Sequence, residues 1–371
     1  MADPRIRRWA ETLTRYCLYI QPGETVLIYA TPLAAPLVEE VYREILRAGG
    51  IPILRITLPE LTEIFLKEAS EAQLSFVSPL DETFSETISA RLTIGSDENV
   101  RALVHVDPAR QAIFQRANAA GRRRFSEREQ QGAFKWCGTL YPTQAYAQNA
   151  GMSLAEFTEF VYQACFLNDE HPADRWREVG ASQQRYVDWL KGKRRVRVLG
   201  RDTDLSLSIE GRTFINSDGK RNFPSGEFFT GPVEDSAEGT IRYTIPSAHN
   251  GRVVQDIRLR FHQGEVVEAT AAQGQEFLEQ MIRLDDGSRR LGEFAFGNNF
   301  GITRGISNTL FDEKIGGTAH LALGSSYPET GGKNLSALHW DMVCDLRPEA
   351  GGGEVWVDDT LFLKDGKLLV G

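Results

Sequence analysis

The sequence predicts an α/β N-terminal domain built on a parallel sheet, followed by a β-rich α+β C-terminal domain. Two observations predict it. Apolar strand-like runs flank an amphipathic helical stretch within about 35 residues near the N-terminus, which is the pattern of a βαβ unit. Beyond Gly192 the texture changes to short alternating segments separated by glycine-rich turns.

Taken in order, Thr25-Val26-Leu27-Ile28-Tyr29-Ala30 is a short apolar run of buried-strand type. Pro36 to Leu46 has helical spacing and stops at Gly49-Gly50. Ile51 to Leu58 is the second strand, and Ala102-Leu103-Val104-His105-Val106 is expected to be a further one. Helices are expected over Leu154–Phe166 and Trp176–Leu190. Strands are then expected at Val196–Leu199, Asp204–Ile209 and Ile257–Phe261. The domain boundary is placed near 190, giving domains 1–190 and 191–371.

A chain of 371 residues is longer than one ordinary core, and 41% hydrophobic with 25% charged residues fits a globular protein. No apolar run reaches the roughly 18 residues of a membrane helix. The segment opening Met1-Ala2-Asp3-Pro4-Arg5 is amphipathic, with no apolar signal core after it, so a cytoplasmic location is expected. The net charge of −9 argues against wholesale binding of nucleic acid. The run Arg122-Arg123-Arg124 reads as a solvated helix end. Cys17, Cys137, Cys165 and Cys344 form no CxxC and read as reduced, buried thiols.

The chemistry concentrates in the last 150 or so residues. In the strand-like run Leu338–Leu346, His339 and Asp341 stand two apart and share a face, about 6.5–7 Å from each other along the chain. Thr318–Gly324 is a short strand with one histidine, His320. Glu227 and Glu293 each follow a glycine and precede aromatics, and Asp312-Glu313 adds another acidic pair. Taken singly, each of these fits an ordinary satisfied or solvated residue. Together, oxygen-rich with two imidazoles, they suit Zn, Mn or Co and exceed what one tetrahedral ion needs, so a dinuclear site is attractive.

The ordered motifs resemble those of the M29 metalloaminopeptidases, the aminopeptidase T and aminopeptidase S group. The resemblance is densest from Asn222 to Asp341. It is carried by Pro224–Ser236, by Gly292-Glu293, by Asp312-Glu313 with His320, by Tyr327 seven residues after that histidine, and by His339-Trp340-Asp341. It implies metal ligands at Glu227, Glu293, Glu313, His320, His339 and Asp341, with Glu293 bridging two divalent ions. It implies that Tyr327 donates a hydrogen bond to the reacting oxygen, and that 191–371 is the catalytic domain. The implied activity is hydrolysis of the N-terminal peptide bond of short peptides. The implied assembly is a homodimer whose active sites face an internal cavity. Glu234 or Asp235 could receive a charged substrate amine, and Phe228, Phe229, Phe294 and Trp340 could form an apolar subsite or simply pack. The rivals are a two-metal amidase or phosphoesterase and a non-catalytic nucleotide-binding module with a structural metal. The chain lacks GxSxG and HExxH, which excludes the common serine-hydrolase and zincin signatures.

Overall fold

A computed structural model describes residues 3–370; Met1 and Ala2, where the expected amphipathic segment begins, lie outside the described residues. The chain forms two compact units. The first runs up to Ala173 and includes Lys220–Phe223; the second is Asp174–Gly219 with the chain from Pro224 onward.

In the first unit, Asp3 caps the helix Pro4–Thr12 by accepting the Arg5 N–H at 2.9 Å. The parallel sheet has the order Ile51–Ile56, Thr25–Ala30, Ala90–Gly95, Lys135–Leu140, Asn222–Phe223. Strand Thr25–Ala30 is interior, so Val26, Leu27 and Ile28 are buried, whereas Ile51–Ile56 is an edge strand and keeps Ile51, Leu54 and Ile56 exposed. Helix Ala35–Arg47 buries Leu37, Val38, Val41 and Ile45 and completes the expected βαβ unit. The expected strand at Ala102–Val106 is not one: the segment winds through successive turns, with Ala102 N–H to Asn99, Val104 N–H to Arg101 and Val106 N–H to Leu103. Asn99 starts that winding by accepting the Arg101 N–H at 2.9 Å, and Val106 joins a local cluster with Leu66, Ala69 and Leu74. The sheet position is taken by Ala90–Gly95, whose Ala90, Leu92 and Ile94 alternate into the core.

Among the described residues the second unit holds two large antiparallel sheets and a two-stranded antiparallel ribbon, Ser247–His249 with Arg252–Val254. The larger has eight strands, in the order Glu265–Thr270, Ile257–His262, Glu238–Tyr243, Thr203–Ser208, Arg195–Gly200, Gly353–Val357, Thr360–Lys364, Lys367–Leu368. The smaller has five, in the order His339–Asp345, Thr318–Gly324, Leu291–Gly297, Glu227–Thr230, Ile215–Ser217. One hydrophobic core joins them. Val196, Val198, Leu205, Ile241 and Leu259 come from the larger sheet. The smaller sheet contributes every second residue of its strands: Phe228; Phe294 and Phe296; Ala319, Leu321 and Leu323; Trp340, Met342 and Cys344. The residues between these necessarily point the other way. The four cysteines are free and buried, and among the described residues no helix is long and apolar enough to cross a membrane.

Candidate metal centre

The second face of the five-stranded sheet presents Glu227, Glu293, His320, His339 and Asp341. Register sets their spacing. Ala295, His320 and Val343 are cross-strand partners, and so are Glu293, Ala322 and Asp341. With strands about 4.8 Å apart, the small alanines leave room for the functional side chains to converge. Both Gly–Glu pairs have a steric reason. Gly226 sits at φ +107, and a Cβ there would stand 2.7 Å from the Asn299 Cβ. Gly292 lies at a register shift, where a Cβ would meet the carbonyl oxygens of Gly324 and Ser325 at 2.2 and 2.4 Å.

Glu313 arrives from outside the sheet, on the segment connecting Leu291–Gly297 to Thr318–Gly324. The short helix Thr309–Asp312 is capped by Asn308, and Asp312 accepts the N–H groups of Ile306 and Asn308 at 2.8 and 2.9 Å. Burial, opposed by those hydrogen bonds, pushes the Asp312 carboxyl up to about 7. Asp312 therefore anchors the loop, while Glu313 turns into the site beside Lys314, with which it is in contact.

The charged atoms converge closely. His320 Nε2 lies 3.3 Å from Glu227 Oε2 and 3.3 Å from Glu293 Oε1. His339 Nε2 lies 3.5 Å from Glu293 Oε2 and 3.6 Å from Asp341 Oδ2. The six residues fall into three overlapping triads: Glu227–Glu293–His320, Glu293–His339–Asp341 and Glu313–His320–Asp341. Each triad has its ligand atoms within 4.8 Å of one another.

The electrostatics are those of a cation site. Against the penalty of burial, the neighbouring carboxylates pull the His320 imidazole up to about 9 and that of His339 up to about 10. Glu293, between the two rings, is held down to about 2 despite burial. Burial drives Asp341 up to about 7, with the other carboxylates adding to it and His339 opposing. Burial also raises the Glu313 carboxyl, with Lys314 opposing and Glu227 adding to the rise.

Metal ions fit the residues present. Glu227 Oε2, His320 Nδ1 and Asp341 Oδ1 are buried without hydrogen-bond partners among the described residues. His339 Nδ1 faces the Ser325 carbonyl oxygen at 2.8 Å, so it takes the donor role and leaves Nε2, toward the carboxylates, as the nitrogen whose proton a metal ion would displace. Carboxylates and imidazoles without thiolates are a donor set for Zn, Co or Mn.

Tyr327 stands at the rim, 41% exposed, with its ring 5.2 Å from that of His339 and 5.3 Å from that of Phe229. Restricted hydration, with Glu293 and Asp341 nearby, pushes its hydroxyl well above the usual range. Of the aromatics flanking the motifs, Phe228, Phe294 and Trp340 belong to the core, and Phe229 alone is on the site face. Glu234 is already engaged, accepting from Arg212 Nη2 at 2.7 Å and from the Lys333 N–H at 2.6 Å; Asp235 is exposed.

Three supporting residues escaped the sequence reading. Gln183, buried on helix Pro172–Leu190, donates to the Glu227 carbonyl oxygen at 3.0 Å and to Asn216 Oδ1 at 2.7 Å. Ser247 Oγ accepts from Trp340 Nε1 and donates to the Asp341 carbonyl oxygen, both at 2.7 Å. Lys314 is fully buried, with Nζ 3.4 Å from Glu227 Oε1; against the penalty of burial, Glu227 and Glu313 push its pKa up. Contacts reaching 44 residues (Gln183) and 94 residues (Ser247) along the chain leave no local signal; the Glu313-Lys314 adjacency could have flagged the lysine.

Comparison with known proteins agrees with the geometry. Aminopeptidase 2 of Geobacillus stearothermophilus is 30% identical over 405 residues, which covers 98% of this chain and 95% of that protein. Aminopeptidase T of Thermus thermophilus is 27% identical over 356 residues, 87% of this chain and 85% of the relative. The solved structure of wild-type AmpT from Thermus thermophilus matches 99% of both chains with a TM-score of 0.83 at 25% identity. The family model described as thermophilic metalloprotease (M29) matches residues 2–367. A match of that extent, on a chain whose carboxylates and imidazoles converge as a cation site, places this protein in the M29 metalloprotease family, whose chemistry uses divalent metal.

Proposed function

We propose that this chain is an aminopeptidase that removes the N-terminal residue of short peptides at a dinuclear metal centre within 191–371. Glu227, Glu293, Glu313, His320, His339 and Asp341 would hold two divalent ions drawn from Zn, Co and Mn. The observation that carries the reading is the position of Glu293. Its Oε1 faces His320 and its Oε2 faces His339, so one carboxylate serves both halves of the cluster. Bound there, such ions supply Lewis acidity toward a carbonyl oxygen and an acidified water at neutral pH.

The chain's own groups do the rest. The Tyr327 hydroxyl stays protonated and donates to the oxygen that gains charge as the peptide carbon becomes tetrahedral. Whichever of Glu313 and Glu227 is not fully engaged with metal accepts the proton of the attacking water and passes it to the leaving amine. Phe229 and Tyr327 form an apolar wall at the mouth of the site. The same reading includes a cytoplasmic homodimer. The exposed Leu54, Ile56, Leu58, Leu61 and Ile64, on the edge strand and the segment after it, supply apolar surface for a second copy.

The test is release of free amino acid from unblocked peptides and their N-acetylated counterparts. The protein would be metal-stripped, then reloaded with Zn, Co or Mn. Cleavage of unblocked peptides alone, restored by metal, is expected. Equal cleavage of blocked peptides, or hydrolysis of phosphate esters instead, would overturn the assignment.

A further inference from the structure

The charged side chains of the centre alternate in sign. Lys314 Nζ faces Glu227 Oε1, Glu227 Oε2 faces His320 Nε2, and Glu293 lies between His320 and His339. Asp341 stands beside His339 and also groups with Glu313 and His320. Lys314 also contacts Glu313. A lysine with no exposed surface is rare and requires partners. This one has no freedom to leave. Its carbonyl oxygen accepts the Asn299 N–H at 2.9 Å, and its own N–H donates to Phe311 at 3.0 Å. Its ammonium is in ion-pair contact with Glu227 and Glu313; of the Glu293–His339–Asp341 triad, Asp341 feels its charge without such a contact.

We propose that Lys314 is a built-in counter-cation that makes the two ions load in order. In the metal-free chain its ammonium stands in for an ion between Glu227 and Glu313. The triad Glu293–His339–Asp341 has no fixed ammonium in contact with it and takes the first ion, which displaces the His339 Nε2 proton. The second ion must share Glu227 and Glu313 with a fixed positive charge a few ångströms away, so it binds more weakly. Four carboxylates against one ammonium leave three negative charges when the imidazoles are neutral. Two divalent ions then bring the centre to a single positive charge, suited to a carbonyl oxygen that becomes an oxyanion. Lys314 is thus a positioning residue, acting through Glu227 and Glu313. The inference rests on the dinuclear reading above.

Calorimetric titration of the metal-stripped full chain with zinc alone tests it, beside Lys314→Met and the charge-keeping Lys314→Arg. The wild type and Lys314→Arg should bind two ions in two resolved steps. In Lys314→Met the weaker step should tighten by at least about tenfold, well within what one unit charge at this range contributes at an effective dielectric of about 20. The tighter step should stay nearly unchanged. Metal-free Lys314→Met should also melt below the wild type and recover on loading; if it folds only when zinc is present, that too is the behaviour expected of a lysine standing in for an ion. An unchanged or weakened second step in Lys314→Met, or a folding defect that zinc leaves in place, would overturn the role of Lys314 alone. A wild type that binds fewer than two ions would overturn the dinuclear reading itself.

Discussion

The two faces of the five-stranded sheet are made by the same strands, yet they obey opposite rules. On Leu291–Gly297, Phe294 and Phe296 enter the common core, while Glu293 and Ala295 face the metal centre. On His339–Asp345, Trp340 and Met342 go inward, while His339 and Asp341 go outward. One face is held by apolar burial and is indifferent to charge. The other gathers carboxylates whose mutual repulsion the imidazoles, Lys314 and a bound cation relieve. Neighbouring positions in the sequence should therefore fail in different ways.

The largest effect is expected at Glu293. Glu293→Gln keeps the volume but removes the charge facing both imidazoles, so turnover should be nearly abolished, and the metal-free protein should still fold but melt lower because two buried imidazoles lose their shared counter-charge. Activity beside a full metal complement would sink its bridging role. The adjacent Phe294→Ala should do the reverse. It opens a cavity under the sheet and should cost about 3–5 kcal/mol of stability, read by denaturant unfolding, while the folded fraction still binds metal. Tyr327→Phe should lower kcat by roughly 10²-fold, the range for losing one oxyanion donor, without changing metal content. Loss of metal instead would make Tyr327 a ligand or a structural residue.

The smallest effect concerns how the two ligand-bearing strands are held near each other. Asp285 accepts from Ser288 N–H at 2.9 Å, from Ser336 Oγ at 2.7 Å and from Ala337 N–H at 2.8 Å, tying the turn before Glu293 to the segment before His339. Against the penalty of burial, the Ser336 hydroxyl and these N–H groups hold its carboxyl below the usual range. A depressed carboxyl contributes stability that is present above its unfolded value of 3.8 and lost as pH falls through its lower folded value. Asp285→Asn should lower stability modestly at neutral pH, flatten the acid side of the profile below about pH 4 and converge on the wild type in strong acid. An unaltered acid slope would show that the tie carries no linkage.

The alternation that separates the two faces is visible in the sequence, because period-two patterning needs no knowledge of partners. It made His320 and the His339–Asp341 pair readable as strand residues of shared orientation. The glycines before Glu227 and Glu293 were visible too, although the backbones they admit were not. Where the reading failed, a local hydrogen bond decided. Ala102–Val106 has the composition of a strand, but the Asn99 side chain starts a run of turns and Asp107-Pro108 opens a helix immediately afterwards. The strand Ala90–Gly95 was not among the expected ones, although Ala90, Leu92 and Ile94 alternate with Arg91 and Thr93 as a half-buried strand does. Lys314 reads as an ordinary surface residue; only the fold shows that its ammonium has nowhere to go but between two carboxylates.

Trp340 gives the centre an optical handle. Its indole is buried between the backbone positions of His339 and Asp341, hydrogen-bonded to Ser247, with its ring 5.8 Å from Phe277 and 5.4 Å from His249. A fluorophore so placed shares a strand with two expected ligands while pointing away from them, so it senses occupancy without contributing a donor atom. Cobalt, which absorbs and is paramagnetic, should quench its emission on loading, whereas zinc should only shift it. The difference between wild-type and Trp340→Phe spectra would then isolate this signal from the other tryptophans and report filling of the His339–Asp341 position in real time.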